Sequence, residues 1–249
     1  LKAALFVCRH RVDAPQGQAL VRAWDQAGHA IANHSHSHPY LGSARCTSGQ
    51  FEQELLRCDS MIRQYTNYTR LFRFPFLKEG KTAAQRDSMR AILANHGYQN
   101  GHVSIDASDW YVDQMLCDSL RKNPLLDPRP YKDFYIAHIL ERAQYYDSLA
   151  TALTGRKVQH VLLLHHNLLN AMFLDDLIRA LTANGWAFRN TLDAYRDPIY
   201  QSQPKIAPAG ESIIWGLAKE SGKFEGVLRY PAEDSEYEKD KLQAALKQR

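Results

Sequence analysis

Two histidines four residues apart, His34 and His38, lie in the run Asn33-His34-Ser35-His36-Ser37-His38-Pro39. Imidazoles at that spacing project from one side of a helical turn and can reach the same ion, so the pair is a candidate for a divalent metal. His36, between them, points elsewhere and is expected to be a bystander. A polar loop that happens to be rich in histidine is the plain alternative. The run follows directly on the short apolar segment Ala30-Ile31-Ala32, and that placement favours a metal.

Three further runs carry chemistry. In Arg73-Phe74-Pro75-Phe76 the Arg73 guanidinium is a planar donor fork suited to a carboxylate. The Phe76 amide, following a proline, is placed to point at a reacting oxygen. Alone, this run reads better as a core strand ending in a turn. Asp106-Ala107-Ser108-Asp109-Trp110-Tyr111 sets two carboxylates beside two aromatics. Sugar-binding clefts use that combination for hydroxyls and pyranose faces, although Ser108 or Asp109 also fits the N-cap of a helix starting near Trp110. His165 leaves the apolar run Val161-Leu162-Leu163-Leu164. It suits a general acid if a carboxylate raises its pKa and fixes its tautomer; a structural histidine is an equal reading of that run alone. Asp175-Asp176 imitates an acidic dyad, but Phe173, Leu174, Leu177, Ile178 and Leu181 form a helical stripe around it, which makes the acids ordinary first-turn charges. The triplets at Asn33 and Asn67 fit the N-glycosylation pattern and are given no weight.

The elements that must position these residues alternate short apolar runs with helical stretches, the pattern of repeated βα units and a mostly parallel sheet. Strands are expected at Leu5–Cys8, His29–Ala32, Leu71–Phe74, Val103–Ile105, Val158–Leu164 and Trp186–Phe188. Helices are expected from Pro15 to Gly28, Phe51 to Ile62, Thr82 to His96, Tyr131 to Thr154 and Leu168 to Asn184, with a solvated helix in the charged tail from Glu233 to Arg249. His34, His38, Arg73, Asp106 and His165 then all fall at C-terminal strand ends, where parallel α/β barrels carry their sites.

At 249 residues with 45% hydrophobic content the chain can bury its own core. One domain over 1–249 is expected, with 197–249 as a C-terminal extension. The net charge of +4 is dispersed rather than gathered, which argues against a nucleic-acid partner. No apolar stretch reaches the length of a membrane span. The four cysteines, Cys8, Cys46, Cys58 and Cys117, lack C-x-x-C spacing. They read as free thiols, with a Cys46–Cys58 pair as the alternative in an oxidising compartment.

In their order, these motifs resemble those of the NodB-homology polysaccharide deacetylases (carbohydrate esterase family 4), from Leu1 to about Asp193. That family's second motif is matched by His34 to His38 and its third, Arg-x-Pro-Tyr/Phe, by Arg73 to Phe76. Its fourth is matched by Asp106 and Trp110, and its fifth, Leu-x-His, by Leu163 and His165. The resemblance implies an α/β fold of the distorted (β/α)7-barrel type, here lacking its first strand. It implies metal-dependent hydrolysis of the N-acetyl groups of an amino-sugar polymer or oligosaccharide, with release of acetate. His34 and His38 would be ligands of a divalent metal, usually zinc. Arg73 would orient the catalytic base, Asp106 would tune His165, and His165 would protonate the leaving amine. The Phe76 amide would help hold the oxyanion, while Trp110 and Leu163 would form the groove for the acetyl methyl. An exported protein is expected on the same ground.

One departure stands out. The family's first motif, Thr-Phe-Asp-Asp, supplies the base and the third metal ligand, and it does not occur here. Leu1 to Val7 reads as a strand already under way, so residues upstream are expected to carry it. His166 stands where the family commonly has Asp. Two rival functions stay open: a non-catalytic carbohydrate-binding relative, and a metal-dependent amidase on a small non-sugar amide. The sequence leaves the polymer, the metal and the oligomeric state open.

Overall fold

The computed structural model describes residues 1–41, 43, 46–228 and 236–247. In chain order the elements are β1 (Ala4–Val7), α1 (Pro15–Gln26), β2 (Ala30–Asn33), α2 (Ser48–Ile62), β3 (Tyr68–Phe72), β4 (Lys78–Gly80), α3 (Ala83–Asn95) and β5 (Gln99–Asn100). They are followed by α4 (Asp109–Lys122), α5 (Arg129–Thr154), α6 (Leu168–Ala183), α7 (Thr191–Ala194), β6 (Ala209–Gly210), α8 (Ile213–Ser221) and α9 (Glu236–Lys247). The chain folds as two compact units, residues 1–103 with 189–226, and residues 104–188 with 227–249.

The first unit is built on a parallel sheet ordered β1-β2-β3-β5, the arrangement the alternating pattern predicts. β2 is central and buried at every position, which explains why it reads as a continuous apolar run. Two apolar clusters flank it. Val7, Val21, Ile31, Cys58 and Ile62 form one. Leu41, Phe51, Leu55, Phe72, Phe74 and Met89 belong to the other. α2 starts at a capping box in which Thr47 and Gln50 bond each other's backbone amides. α3 starts on Thr82, whose hydroxyl accepts from the Gln85 amide, and the chain turns out of it at Gly97 with φ of 68°. β4 and β6 pair antiparallel in a second small sheet.

The second unit is mainly helical, with α4, α5, α6 and α9 packed together. Two expected strands meet here as a single parallel bridge between Ile105 and Leu162. The ladder goes no further because Ser104 intervenes. Its hydroxyl takes the Val161 amide at 2.8 Å, while the Ser104 and Ile105 amides both turn to the Val161 carbonyl. No strand forms over 186–188: the Trp186 amide closes the end of α6 on the Leu181 carbonyl, and Phe188 is exposed. The tail helix is present as α9; residues 233–235 and 248–249 of that expectation lie outside the described residues. All four cysteines are free, as favoured, and Cys8, Cys46 and Cys58 are buried. No helix among the described residues is long and apolar enough to cross a membrane.

Candidate functional site

In the first unit the parallel sheet brings the ends of β2 and β3 to one edge. The Arg73 amide donates to the Asn33 carbonyl at 2.9 Å, and the His34 amide to the Val7 carbonyl at 2.9 Å. His34 therefore leaves the sheet beside Arg73, and its Nδ1 donates to the Arg73 carbonyl at 2.7 Å. A carbonyl only accepts, so the neutral ring keeps its lone pair on Nε2. A partner of that kind on the far nitrogen commonly fixes metal-binding histidines.

His38 faces His34 edge-on, with ring centroids 4.8 Å apart, and Phe76 packs on His38 at 4.7 Å. The loop that presents the pair is bent at two non-glycine residues in the left-handed region, Ser35 at φ 70° and His38 at φ 60°. Side chains hold the bend: the Ser35 amide donates to Asn33 Oδ1 at 2.9 Å, and the His38 amide to Ser35 Oγ at 3.0 Å. Phe76 shares the left-handed geometry at φ 55° and is 55% exposed. Such conformations cost about 1–3 kcal/mol each and persist where surroundings enforce them, often at functional sites.

Arg73 is buried. Its Nε donates to the Gly101 carbonyl at 3.0 Å, its Nη2 to the Tyr195 hydroxyl at 3.1 Å, and its guanidinium lies 3.8 Å over the Phe6 ring. Tyr195 donates onward to the His102 carbonyl at 2.9 Å. Burial raises the Tyr195 phenol pKa, and the Arg73 charge opposes that rise. Burial likewise lowers the His102 imidazole below its ordinary value, against the pull of Glu79. Sequence reasoning missed Tyr195, more than a hundred residues away in the chain from Arg73; nothing local marks it.

For a metal, the chain offers the His34 and His38 rings. Among the described residues no group of three or more His, Cys, Asp or Glu is arranged to hold an ion. The pair fits as two of the three protein donors of a catalytic zinc site.

The second unit carries the histidine of the apolar run. His165 follows the Leu162 bridge, and its Nδ1 donates to Asp109 Oδ1 at 2.7 Å. The carboxylate on this ring is thus Asp109, where Asp106 had been expected to tune it. The reason is the start of α4. Asp109 is its first residue and is fully buried, with its other oxygen accepting from the His165 amide (2.8 Å), Asn167 Nδ2 (3.2 Å) and Asn170 Nδ2 (2.7 Å). Asp106 is also buried, and its charge helps burial to raise the Tyr146 pKa. Trp110, the second residue of α4, is partly buried against Tyr111 at 6.0 Å. Leu163 is held by its amide on the Ile105 carbonyl at 3.0 Å, two residues before His165. The buried Asn170, otherwise on an apolar helix, was the signal that could have pointed to Asp109, since a buried amide needs polar partners.

Compared with known proteins, residues 1–101 match the family model for polysaccharide deacetylases. No curated protein matches the chain. Among solved structures the chain is similar to a family 4 carbohydrate esterase from Streptomyces lividans in complex with acetate. The identity is 21% over 78% of this chain and 82% of that one, with a TM-score of 0.49. It is also similar to the Xyl-CE4 domain of a multidomain xylanase from the hindgut metagenome of Trinervitermes trinervoides. There the identity is 15% over 87% of this chain and 86% of that one, with a TM-score of 0.50. At 15% identity the second likeness speaks to the fold alone, an α/β fold as the alternating pattern predicts.

Proposed function

We propose, from the match of residues 1–101 to the polysaccharide deacetylase family model, that the chain hydrolyses N-acetyl groups on an amino-sugar polymer or oligosaccharide and releases acetate. The observation that carries this reading is the buried Asp109 carboxylate on His165 Nδ1 at 2.7 Å. An amide leaves as an amine only if its nitrogen is protonated, whereas an ester needs far less help. A histidine whose Nδ1 is held by a buried carboxylate presents Nε2 as the proton-carrying atom and keeps its imidazolium stable. The His165 side chain is partly exposed, whereas the Asp109 carboxylate that holds it is buried.

His34 and His38 would hold a divalent metal, zinc by the nature of two nitrogen donors. When bound, such an ion supplies Lewis-acid polarisation of the amide carbonyl and of water. Arg73 fixes His34 through its main-chain carbonyl and is itself fixed by Gly101 and Tyr195. Phe76 is exposed beside His38 in the first unit. In the second, Trp110 and Leu163, next to Asp109 and just before His165 in the chain, would offer apolar surface to the acetyl methyl.

The test is acetate release from N-acetylglucosamine oligomers and from acetylated xylan by metal-stripped protein reloaded with zinc. Zinc-dependent release from the amino sugar that His165→Ala lowers at least a hundredfold supports the reading. Release from xylan alone would make the chain an esterase. Binding to the oligomers without release would make it a carbohydrate-binding relative, and release from small non-sugar amides alone would make it an amidase.

A further inference from the structure

We infer that the last helix, α9, positions the proton-donating histidine, acting from Glu238 through His138 and Ser108 onto Asp109. This rests on the reading of His165 as the acid of the deacetylation. The chain of contacts lies within the second unit. The Ser108 amide donates to His138 Nε2 at 3.0 Å. A ring nitrogen that accepts carries no hydrogen, so the neutral His138 ring has its proton on Nδ1. That Nδ1 lies 3.9 Å from Glu238 Oε1 on α9. A carboxylate there favours the Nδ1 proton and leaves the lone pair on Nε2, where Ser108 needs it.

Ser108 is the N-cap of α4, and its own side chain makes no capping bond. The hydrogen bond from its amide to His138 therefore ties down the turn that starts with Asp109. Asp109 in turn bonds the His165 ring, the His165 amide and two asparagines. Ser108, Asp109, His138 and Glu238 are 1%, 0%, 5% and 2% exposed, so water competes for none of these contacts.

The rest of α9 is simple by comparison. Leu242 is its buried apolar anchor, and Lys241 pairs with Glu141 at 3.1 Å on the surface. An apolar residue at 238 would dock the helix without the several kcal/mol of desolvation that a buried carboxylate costs. A carboxylate aimed at the one histidine that holds the Ser108 amide is an expensive choice for packing and an economical one for orientation.

The experiment uses the full chain and its Glu238→Gln, His138→Gln and double variants. Imidazole nitrogen signals of His138 and His165 are read by NMR, with kcat and KM for acetate release alongside. Glu238→Gln is expected to release His138 from its single tautomer and to move the His165 signals. It should lower kcat about tenfold, as outer-shell partners do, with KM nearly unchanged. His138→Gln, whose side-chain carbonyl can still accept the Ser108 amide, should keep the His165 signals and make Glu238→Gln silent in the double variant. His165 signals that stay fixed in folded Glu238→Gln would overturn the inference, with or without a change in kcat. Should Glu238→Gln not fold, Glu238→Met, which docks the helix with an apolar side chain, takes its place: a shift of the wild-type His165 signals in it supports the inference, and His165 signals that stay fixed overturn it. If the wild-type chain releases no acetate at all, the deacetylase reading falls, and the nitrogen signals alone still decide whether Glu238 reaches His165.

Discussion

The His165 ring meets Asp109 through a 2.7 Å Nδ1–Oδ1 hydrogen bond, and the Asp109 carboxylate has its second oxygen filled by three more donors. The carboxylate is fully buried, so it cannot swing to another role. Asp109→Asn replaces an acceptor-only group with one that carries donors of its own, and at least one of these must face an N–H. It also removes the charge that stabilises a protonated His165. The expected outcome is a fall in kcat of about 10²–10⁴-fold. Asp109→Ala strands the same donors in the interior and should add a stability loss of about 3–5 kcal/mol, read from urea unfolding. Asp106→Asn, which leaves the bond to Nδ1 in place, should cost less activity than Asp109→Asn; the reverse order would return the tuning role to Asp106.

The three histidines of the β2 loop should separate cleanly in metal binding. His34 and His38 face each other at 4.8 Å, and His34 is aimed by the Arg73 carbonyl. Zinc affinity, measured by titration of the stripped protein, should drop at least a hundredfold in His34→Ala and in His38→Ala. His36 lies off the pair, against His10 at 6.3 Å. His36→Ala should bind zinc within a few-fold of the wild type; a loss equal to that of its neighbours would mean that the ion sits elsewhere in the loop.

The first unit was legible because its information is local. Apolar runs of four or five residues, a Pro at the start of α1 and a glycine after α1 and after α3 are short-range signals. They placed β1, β2, β3, α1, α2 and α3 within a few residues of their observed bounds. The His34/His38 pair was marked by its spacing, but the rings meet across a loop bent at left-handed Ser35 and His38 rather than on a helical turn. What failed depended on distant partners. Val158–Leu164 has the composition of a strand, yet the Ser104 hydroxyl takes the amide that a ladder would use. Asp106 and Asp109 look interchangeable on paper. Only the helix start at Asp109 and the asparagines of α6 put the Asp109 carboxylate on His165 Nδ1. Tyr195 bonds Arg73 across 122 positions of chain, and Glu238 approaches His138 across a hundred.

Cys58 gives the alkaline side of the stability profile a specific prediction. Its thiol donates to the Val7 carbonyl at 3.1 Å inside the core, and burial pushes its pKa from 9.0 up to about 12. The folded chain therefore keeps a proton that the unfolded chain gives up. The stability this group contributes is complete below pH 9 and is lost as pH rises from 9 towards 12. The slope in that window is about 1.4 kcal/mol per pH unit. Between pH 8 and pH 10 the wild type should lose about 1.4 kcal/mol more than Cys58→Ala does, because the buried tyrosines contribute equally to both and cancel. Urea unfolding at the two pH values measures the difference, and equal losses would show that the thiol ionises freely.

Gly101 offers a way to disturb the metal half without touching a ligand. A Cβ at this position would lie 2.5 Å from the Phe6 ring and 3.3 Å from the Phe72 carbonyl. The ring must give way, and it is the ring over which the Arg73 guanidinium sits at 3.8 Å. Arg73 also donates to the Gly101 carbonyl, so Gly101→Ala displaces two of its supports at once. Because the Arg73 carbonyl accepts from His34 Nδ1, the displacement passes to a proposed ligand. Overpacking of this kind should cost about 1–3 kcal/mol of stability. Zinc affinity should weaken about tenfold, the lower range for loss of an orienting partner. Tyr195→Phe removes the 3.1 Å bond at the far end of the guanidinium, together with the 2.9 Å bond to the His102 carbonyl, and leaves Phe6 and the Gly101 carbonyl in place. It should destabilise the fold by about 1–3 kcal/mol through the unmet Arg73 donor while zinc binding stays near wild type. Equal weakening of zinc binding in the two variants would show that the Arg73 side chain as a whole, rather than the main chain beside Phe6, sets the His34 ring.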